Sequence, residues 1–171
     1  MLRMLARGAL TLLALLSLGY LAICGLMYLR QDSLVYYPQV TRVAAADTNF
    51  ALERDGLVLR GWHHNPGRDD ALLYFGGNAE SVQHSARELA AWFPGRSIYV
   101  LAYRGYGASD GTPSEAALTG DALALYDEVR TRHPEGDVAV VGRSLGSGVA
   151  AQLAGARPVV RLALVTPFDR L

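Results

Sequence analysis

The chain has 171 residues, 51% of them hydrophobic and 19% charged, with a formal net charge of zero at pH 7. That length suits one domain, and the apolar excess allows a core plus a membrane segment. The balanced charge, without any run of Lys or Arg, excludes a nucleic-acid partner, which would need a basic face; the single cysteine, Cys24, excludes an intrachain disulfide or a cysteine metal cluster.

Residues 9–29 read ALTLLALLSLGYLAICGLMYL without a charge, with Arg3 and Arg7 before and Arg30 after. At a rise of about 1.5 Å per residue, a helix of this length crosses a hydrocarbon core of about 30 Å. It exceeds the roughly 7–15-residue apolar core of a cleaved signal peptide. Residues 1–30 are therefore expected to be an uncleaved membrane anchor, apolar all round rather than amphipathic. Leu21-Ala22-Ile23-Cys24 has the outline of a lipoprotein box, but Ile23 stands where a small residue is required. Arg3 and Arg7 favour a cytoplasmic N-terminus and a domain on the non-cytoplasmic side, and Arg30 weakens that bias.

Residues 31–47 read as a linker, and 48–171 as the domain. Tyr36 and Tyr37 suit either a membrane-interface belt or an early strand. Phe50–Arg54 and Leu57–Trp62 flank Asp55-Gly56, the two-residue signal of a β-hairpin. From residue 71 the rhythm becomes strand, turn, helix. Ala71–Phe75 is a strand ending in Gly76-Gly77-Asn78, and the helix after it carries Val82, Ala86, Leu89 and Phe93 on one face. Ser97–Tyr103 is the next strand, followed by a loop from Arg104 to Gly111. Thr112-Pro113-Ser114-Glu115 offers an N-cap, a first-turn proline and a capping-box glutamate. Leu118, Ala122, Leu125 and Val129 then form a buried stripe that His133-Pro134 ends. Strands at 138–141 and 162–165 bracket a last helix. Such alternation means an α/β fold, a mostly parallel sheet with helices on both faces, whose ligands bind at the carboxyl ends of the strands.

The most informative stretch is Val138–Ala151. Four β-favouring apolar residues run into Gly142-Arg143-Ser144-Leu145-Gly146, and a small-residue helix pattern follows at once. Strand, Gly-x-Ser-x-Gly, helix is the pattern of a nucleophile elbow. The bend crowds the backbone, so Gly142 and Gly146 support it by lacking side chains. Ser144 is the candidate nucleophile, and the Leu145 N–H is a candidate oxyanion donor. Ser147 reads as a packing residue, and Arg143 as a loop anchor or, alternatively, a contact for acidic substrates.

Three stretches in this order resemble the α/β-hydrolase superfamily, specifically its membrane-anchored Bem46-like branch: Tyr74-Phe-Gly-Gly-Asn-Ala79, Tyr103-Arg-Gly-Tyr-Gly-Ala-Ser-Asp-Gly-Thr-Pro-Ser-Glu115 and Gly142-Arg-Ser-Leu-Gly-Ser-Gly148. The resemblance implies that the Asn78 N–H joins that of Leu145 in the oxyanion hole. It also implies hydrolysis of an ester, thioester or amide through an acyl-enzyme on Ser144, acting on a small-molecule, lipid or peptide acyl substrate. No metal or organic cofactor is implied. Gly76 replaces the histidine usual in relatives, which is expected to loosen the Asn78 loop. Ala102 replaces a common aspartate, which is expected to cost Arg104 a partner.

A serine nucleophile needs a histidine and an orienting carboxylate, which in this superfamily follow the serine. No histidine follows Ser144, and Asp169 is one late carboxylate with a minor claim to the acid role. His63, His64, His84 and His133 all lie upstream and read as solvated or loop residues. The chain is thus expected to be the N-terminal part of a longer hydrolase, with the fold incomplete at its C-terminus and inactive as it stands. The alternatives are a non-catalytic hydrolase-like binding module and an inactive truncated product. A nucleotide-binding domain is disfavoured because neither phosphate-loop pattern is present.

Overall fold

The computed structural model describes residues 2–167. The chain divides into two compact units, residues 1–35 and 36–171. The first holds α1 (Leu2–Val35), whose segment Ala6–Gln31 has a mean hydropathy of 2.2 and is exposed throughout, long and apolar enough to cross a membrane.

The second unit begins with two short 3-10 turns, Pro38–Thr41 and Ala45–Asp47; Tyr36 and Thr41 are buried, and neither Tyr36 nor Tyr37 lies in a strand. Strands β1 (Phe50–Arg54) and β2 (Leu57–His64) form the antiparallel hairpin. Asp55 and Gly56 at its tip have φ of 53° and 73°, the double left-handed turn that matches strand twist. Then follow β3 (Asp70–Phe75), α2 (Val82–Trp92), β4 (Arg96–Leu101), α3 (Glu115–Arg132), β5 (Val138–Arg143), α4 (Leu145–Ala156) and β6 (Arg161–Val165).

The sheet order is β1-β2-β4-β3-β5-β6, with β4, β3, β5 and β6 parallel. From β3 the chain steps one way, to β4, and afterwards the other way, to β5 and β6. Right-handed crossovers therefore put α2 on one face and α3 with α4 on the other. The reversal leaves a crevice between the carboxyl ends of β3 and β5, the place where open α/β sheets bind ligands.

The stripe of α3 is buried as its spacing requires, with Leu118, Leu125 and Val129 fully inside; each such side chain contributes about 1.5–3 kcal/mol by leaving water. Two local expectations fail. The cap of α3 is Ser114, whose hydroxyl accepts from the Ala117 N–H at 3.2 Å, so Pro113 precedes the helix instead of opening it. Phe93 is 41% exposed because α2 stops at Trp92, before the turn that would have brought it inward. Strand β6 pairs with β5 along one edge but is exposed at every position, Leu162 by 40% and Leu164 by 38%.

Candidate active site

Ser144 is the residue on which β5 turns into α4. Its backbone has φ 49° and ψ −117°, a combination that costs a non-glycine residue about 1–3 kcal/mol. The bend is wedged from both sides. A Cβ on Gly142 would overlap the Gly146 carbonyl and come within 2.6 Å of Ala150 Cβ, and one on Gly146 would overlap the Phe75 carbonyl and lie 2.7 Å from the Gly76 oxygen. Helix α4 can approach β3 and β5 this closely only because these positions are bare. The Ser144 N–H donates to the Val165 carbonyl at 2.9 Å, and its carbonyl accepts from the Ser147 N–H (2.8 Å) and hydroxyl (2.6 Å). Ser147 is buried, as a packing residue should be. The Ser144 side chain has no hydrogen-bond partner among the described residues and is part-exposed. Leu145 opens α4, so its N–H lacks an intrahelical acceptor.

The loop after β3 runs beside this turn, since Phe75 pairs with Gly142. A Cβ on Gly77 would sit 3.5 Å from Ser144 Cβ. Three sets of side chains hold this loop. The Tyr103 hydroxyl donates to the Gly76 carbonyl at 2.9 Å. The Glu80 carboxylate accepts from the Gly77 N–H (2.6 Å), the Tyr74 hydroxyl (2.7 Å) and the Ser85 hydroxyl (2.6 Å), and pairs with Arg143 at 3.3 Å. Asn78 Oδ1 accepts from the Tyr106 hydroxyl at 2.6 Å and the Tyr37 N–H at 3.2 Å. Burial raises the Tyr103 and Tyr106 hydroxyl pKa values, and burial plus the Glu80 bond raises that of Tyr74, so all three remain protonated donors.

The loop that carries Gly76 is thus held by several hydrogen bonds, and a side chain at Gly76 would run into Val82. Of the holding residues, Arg143 was read in the sequence as a loop anchor, and its pair with Glu80 fits that reading. Glu80 also left a trace, since a glutamate three positions after a turn glycine can reach back to its N–H as in a capping box.

Arg104 also keeps its partners despite Ala102. Its guanidinium forks onto Asp121 with two bonds of 2.8 Å and reaches Asp55 at 2.7 Å. The Asp121 bond chiefly raises the Arg104 pKa, and the Arg104 bond holds Asp55 below the usual carboxylate range. This pins the second loop at the carboxyl edge of the sheet. The Arg143 side chain, which pairs with Glu80, is 55% exposed.

The histidines lie elsewhere. His63 pairs across the sheet with Tyr99 and His64 with Ile98, near the amino end of β4, and His133 precedes β5. His133 lies in the loop after α3, one of the two settings expected, but it is not solvated: it is 7% exposed, with Tyr99 Oη at 2.9 Å from Nε2 and the Asp69 carbonyl 3.0 Å from Nδ1. His63 stacks on Tyr99 at 4.2 Å. His84 is exposed on α2. Among the described residues no histidine contacts Ser144, and Asp169 falls outside them.

A family model described as "Serine aminopeptidase, S33" matches residues 70–169. An uncharacterized protein of Mycobacterium tuberculosis is 33% identical over 177 aligned positions, covering 95% of this chain and 63% of the relative. Lysophosphatidylserine lipase ABHD12 of Bos taurus is 40% identical over 85 positions, 48% of this chain and 21% of the relative. A solved α/β-hydrolase from Vibrio vulnificus superposes with a TM-score of 0.56 at 26% identity, over 66% of this chain and 42% of its own. The chain thus spans less than two thirds of the length of these relatives. By its matched residues and its sheet, the chain belongs to the α/β-hydrolase superfamily, in the family described as serine aminopeptidase S33.

Proposed function

We propose that the intact protein is a membrane-anchored serine hydrolase that cleaves an ester, thioester or amide through an acyl-enzyme on Ser144. The observation that carries this reading is the strained backbone of Ser144 set against the loop of Gly77 and Asn78. A strained turn persists only where its surroundings impose it, and such turns cluster at active sites.

In this reading Ser144 Oγ attacks the acyl carbonyl carbon while its proton passes to a histidine. The N–H groups of Leu145 and Asn78 receive the charge that develops on the carbonyl oxygen. The leaving alcohol, thiol or amine takes the proton, and water then releases the acid from the ester on Ser144. The histidine and its carboxylate come from polypeptide beyond residue 171. The uncovered faces of β6 and the greater length of the relatives support this. Helix α1 is the anchor and residues 48–171 carry the N-terminal part of the hydrolase domain, on the non-cytoplasmic side; the surplus of Arg3 and Arg7 over Arg30 supports that side. The substrate is a lipid, peptide or small acyl compound, consistent with a lipase and a serine aminopeptidase among the similar proteins.

A second reading, a binding module without turnover, is favoured by the lack of any histidine contact to Ser144 among the described residues. The intact protein in membrane vesicles should hydrolyse members of a panel of acyl esters and aminoacyl amides, and Ser144→Ala should abolish that turnover. Turnover that survives Ser144→Ala overturns the first reading, and no turnover on any panel member favours the second.

A further inference from the structure

The loop after β3 is tied to two distant segments of the chain. Tyr106 lies 28 positions from Asn78, and Tyr37 lies 41 positions away. The Tyr37 N–H lies within reach of both Asn78 Oδ1 (3.2 Å) and the Tyr106 hydroxyl (3.0 Å), so the three groups form one closed cluster. A backbone N–H can only donate, which fixes the amide oxygen of Asn78 as the atom facing it. The cluster is itself anchored. Tyr106 is 3% exposed and meets Tyr103 edge-on at 5.7 Å. Thr41 accepts from the Gly107 N–H at 3.0 Å and donates to the Pro38 carbonyl at 2.8 Å, fastening the turn that carries Tyr37 to the loop that carries Tyr106.

We propose that the Tyr106 hydroxyl and the Tyr37 N–H are positioning groups: by clamping the Asn78 side chain they fix the direction of the Asn78 backbone N–H. This rests on the reading above that this N–H receives the developing oxyanion. The need for a clamp is physical. Ala79, the next residue, holds a left-handed φ of 58°, which a non-glycine residue leaves readily unless neighbours impose it. An oxyanion donor acts only within about 2.7–3.1 Å of the reacting oxygen, so small loop movements are costly. Along the chain, Tyr37 comes two residues after Val35, the last residue of α1. The stretch after the apolar helix is thereby part of the catalytic unit and not a passive connector.

Tyr106→Phe in the intact protein tests this, because it removes one hydroxyl and keeps the ring. Amide hydrogen exchange at residues 76–80 should quicken about fivefold, while that of α2 and α3 stays unchanged. Turnover should fall about fivefold in kcat with KM unchanged, the size expected from one net hydrogen bond. Asn78→Ala, which removes the acceptor instead, should give the same local exchange, and adding Tyr106→Phe to it should change nothing more. It also serves if Tyr106→Phe does not fold. Exchange that stays slow at 76–80, or that quickens throughout the domain, overturns the clamp. So does a local rise with kcat unaltered in an active protein. If the wild-type protein shows no turnover, the hydrolase reading fails, yet a local rise in exchange still supports the clamp and its absence still overturns it.

Discussion

The two ends of the parallel sheet offer opposite kinds of candidate. At the amino edge, His63, Tyr99, Arg132 and His133 line a cleft of about 720 Å³. Toward the carboxyl edge a groove of about 280 Å³ lies between α2 and the sheet beside Arg143 and Val165; Ser144 does not line it, and no histidine contacts Ser144 among the described residues. Room and titratable groups would select the amino edge. Bonding alone does not decide, since His63 Nε2 is buried without a partner among the described residues; backbone strain selects the carboxyl edge. Both nitrogens of His133 are engaged, His63 is pressed on a tyrosine ring, and the Ser97 hydroxyl is bonded to the Asn65 carbonyl. Ser144 has a hydroxyl without a partner among the described residues, on a backbone held in a costly conformation. A side chain left unsatisfied on a strained, tightly wedged turn is the better marker of chemistry than cavity size.

This contrast can be broken by substitution. The largest effect is expected from Gly146→Val, whose Cβ would overlap the Phe75 carbonyl; loss of more than about 3 kcal/mol in urea unfolding should follow, because backbone has to move. A near-neutral Gly146→Val would remove the wedge from the account. Ser144→Gly should act in the opposite sense, raising unfolding free energy by about 1–2 kcal/mol as the left-handed strain is relieved, while turnover disappears. A destabilised Ser144→Gly would mean that the turn stores no strain. The smallest effect belongs to the amino edge. Burial, with Arg132, His133 and His64 adding to it, holds the His63 imidazole below 6.5. As pH falls below about 6.5 the unfolded chain therefore binds protons first, and stability declines toward the lowered folded value. His63→Gln should flatten the melting-temperature profile between pH 7 and 5 and leave turnover within about twofold. Loss of activity in His63→Gln would move the chemistry to the amino edge.

Much of this arrangement was legible in local sequence. The hairpin at Asp55-Gly56, the stripe of α3 and the Gly-x-Ser-x-Gly between strand and helix depend on neighbours a few residues apart, and each formed where expected. The start of α3 was misplaced because Thr112 and Ser114 both offer a capping oxygen around one proline, and only the extended backbone of Ser114 decides between them. What could not be read is the tertiary wiring. Arg104 finds Asp121 and Asp55 at separations of 17 and 49 positions, replacing the aspartate that position 102 lacks. Asn78 finds Tyr106 and Tyr37 in the same way. The burial of His133 depends on Tyr99 and Asp69, which no periodicity brings together.

The central claim is that Ser144 is the nucleophile, and covalent capture tests it most directly. The intact protein is treated with a fluorophosphonate, digested, and its peptides sequenced by mass spectrometry. A phosphonyl adduct on Ser144, absent after Ser144→Ala, is the expected result. An adduct on another residue, or none on a folded protein, would contradict the account.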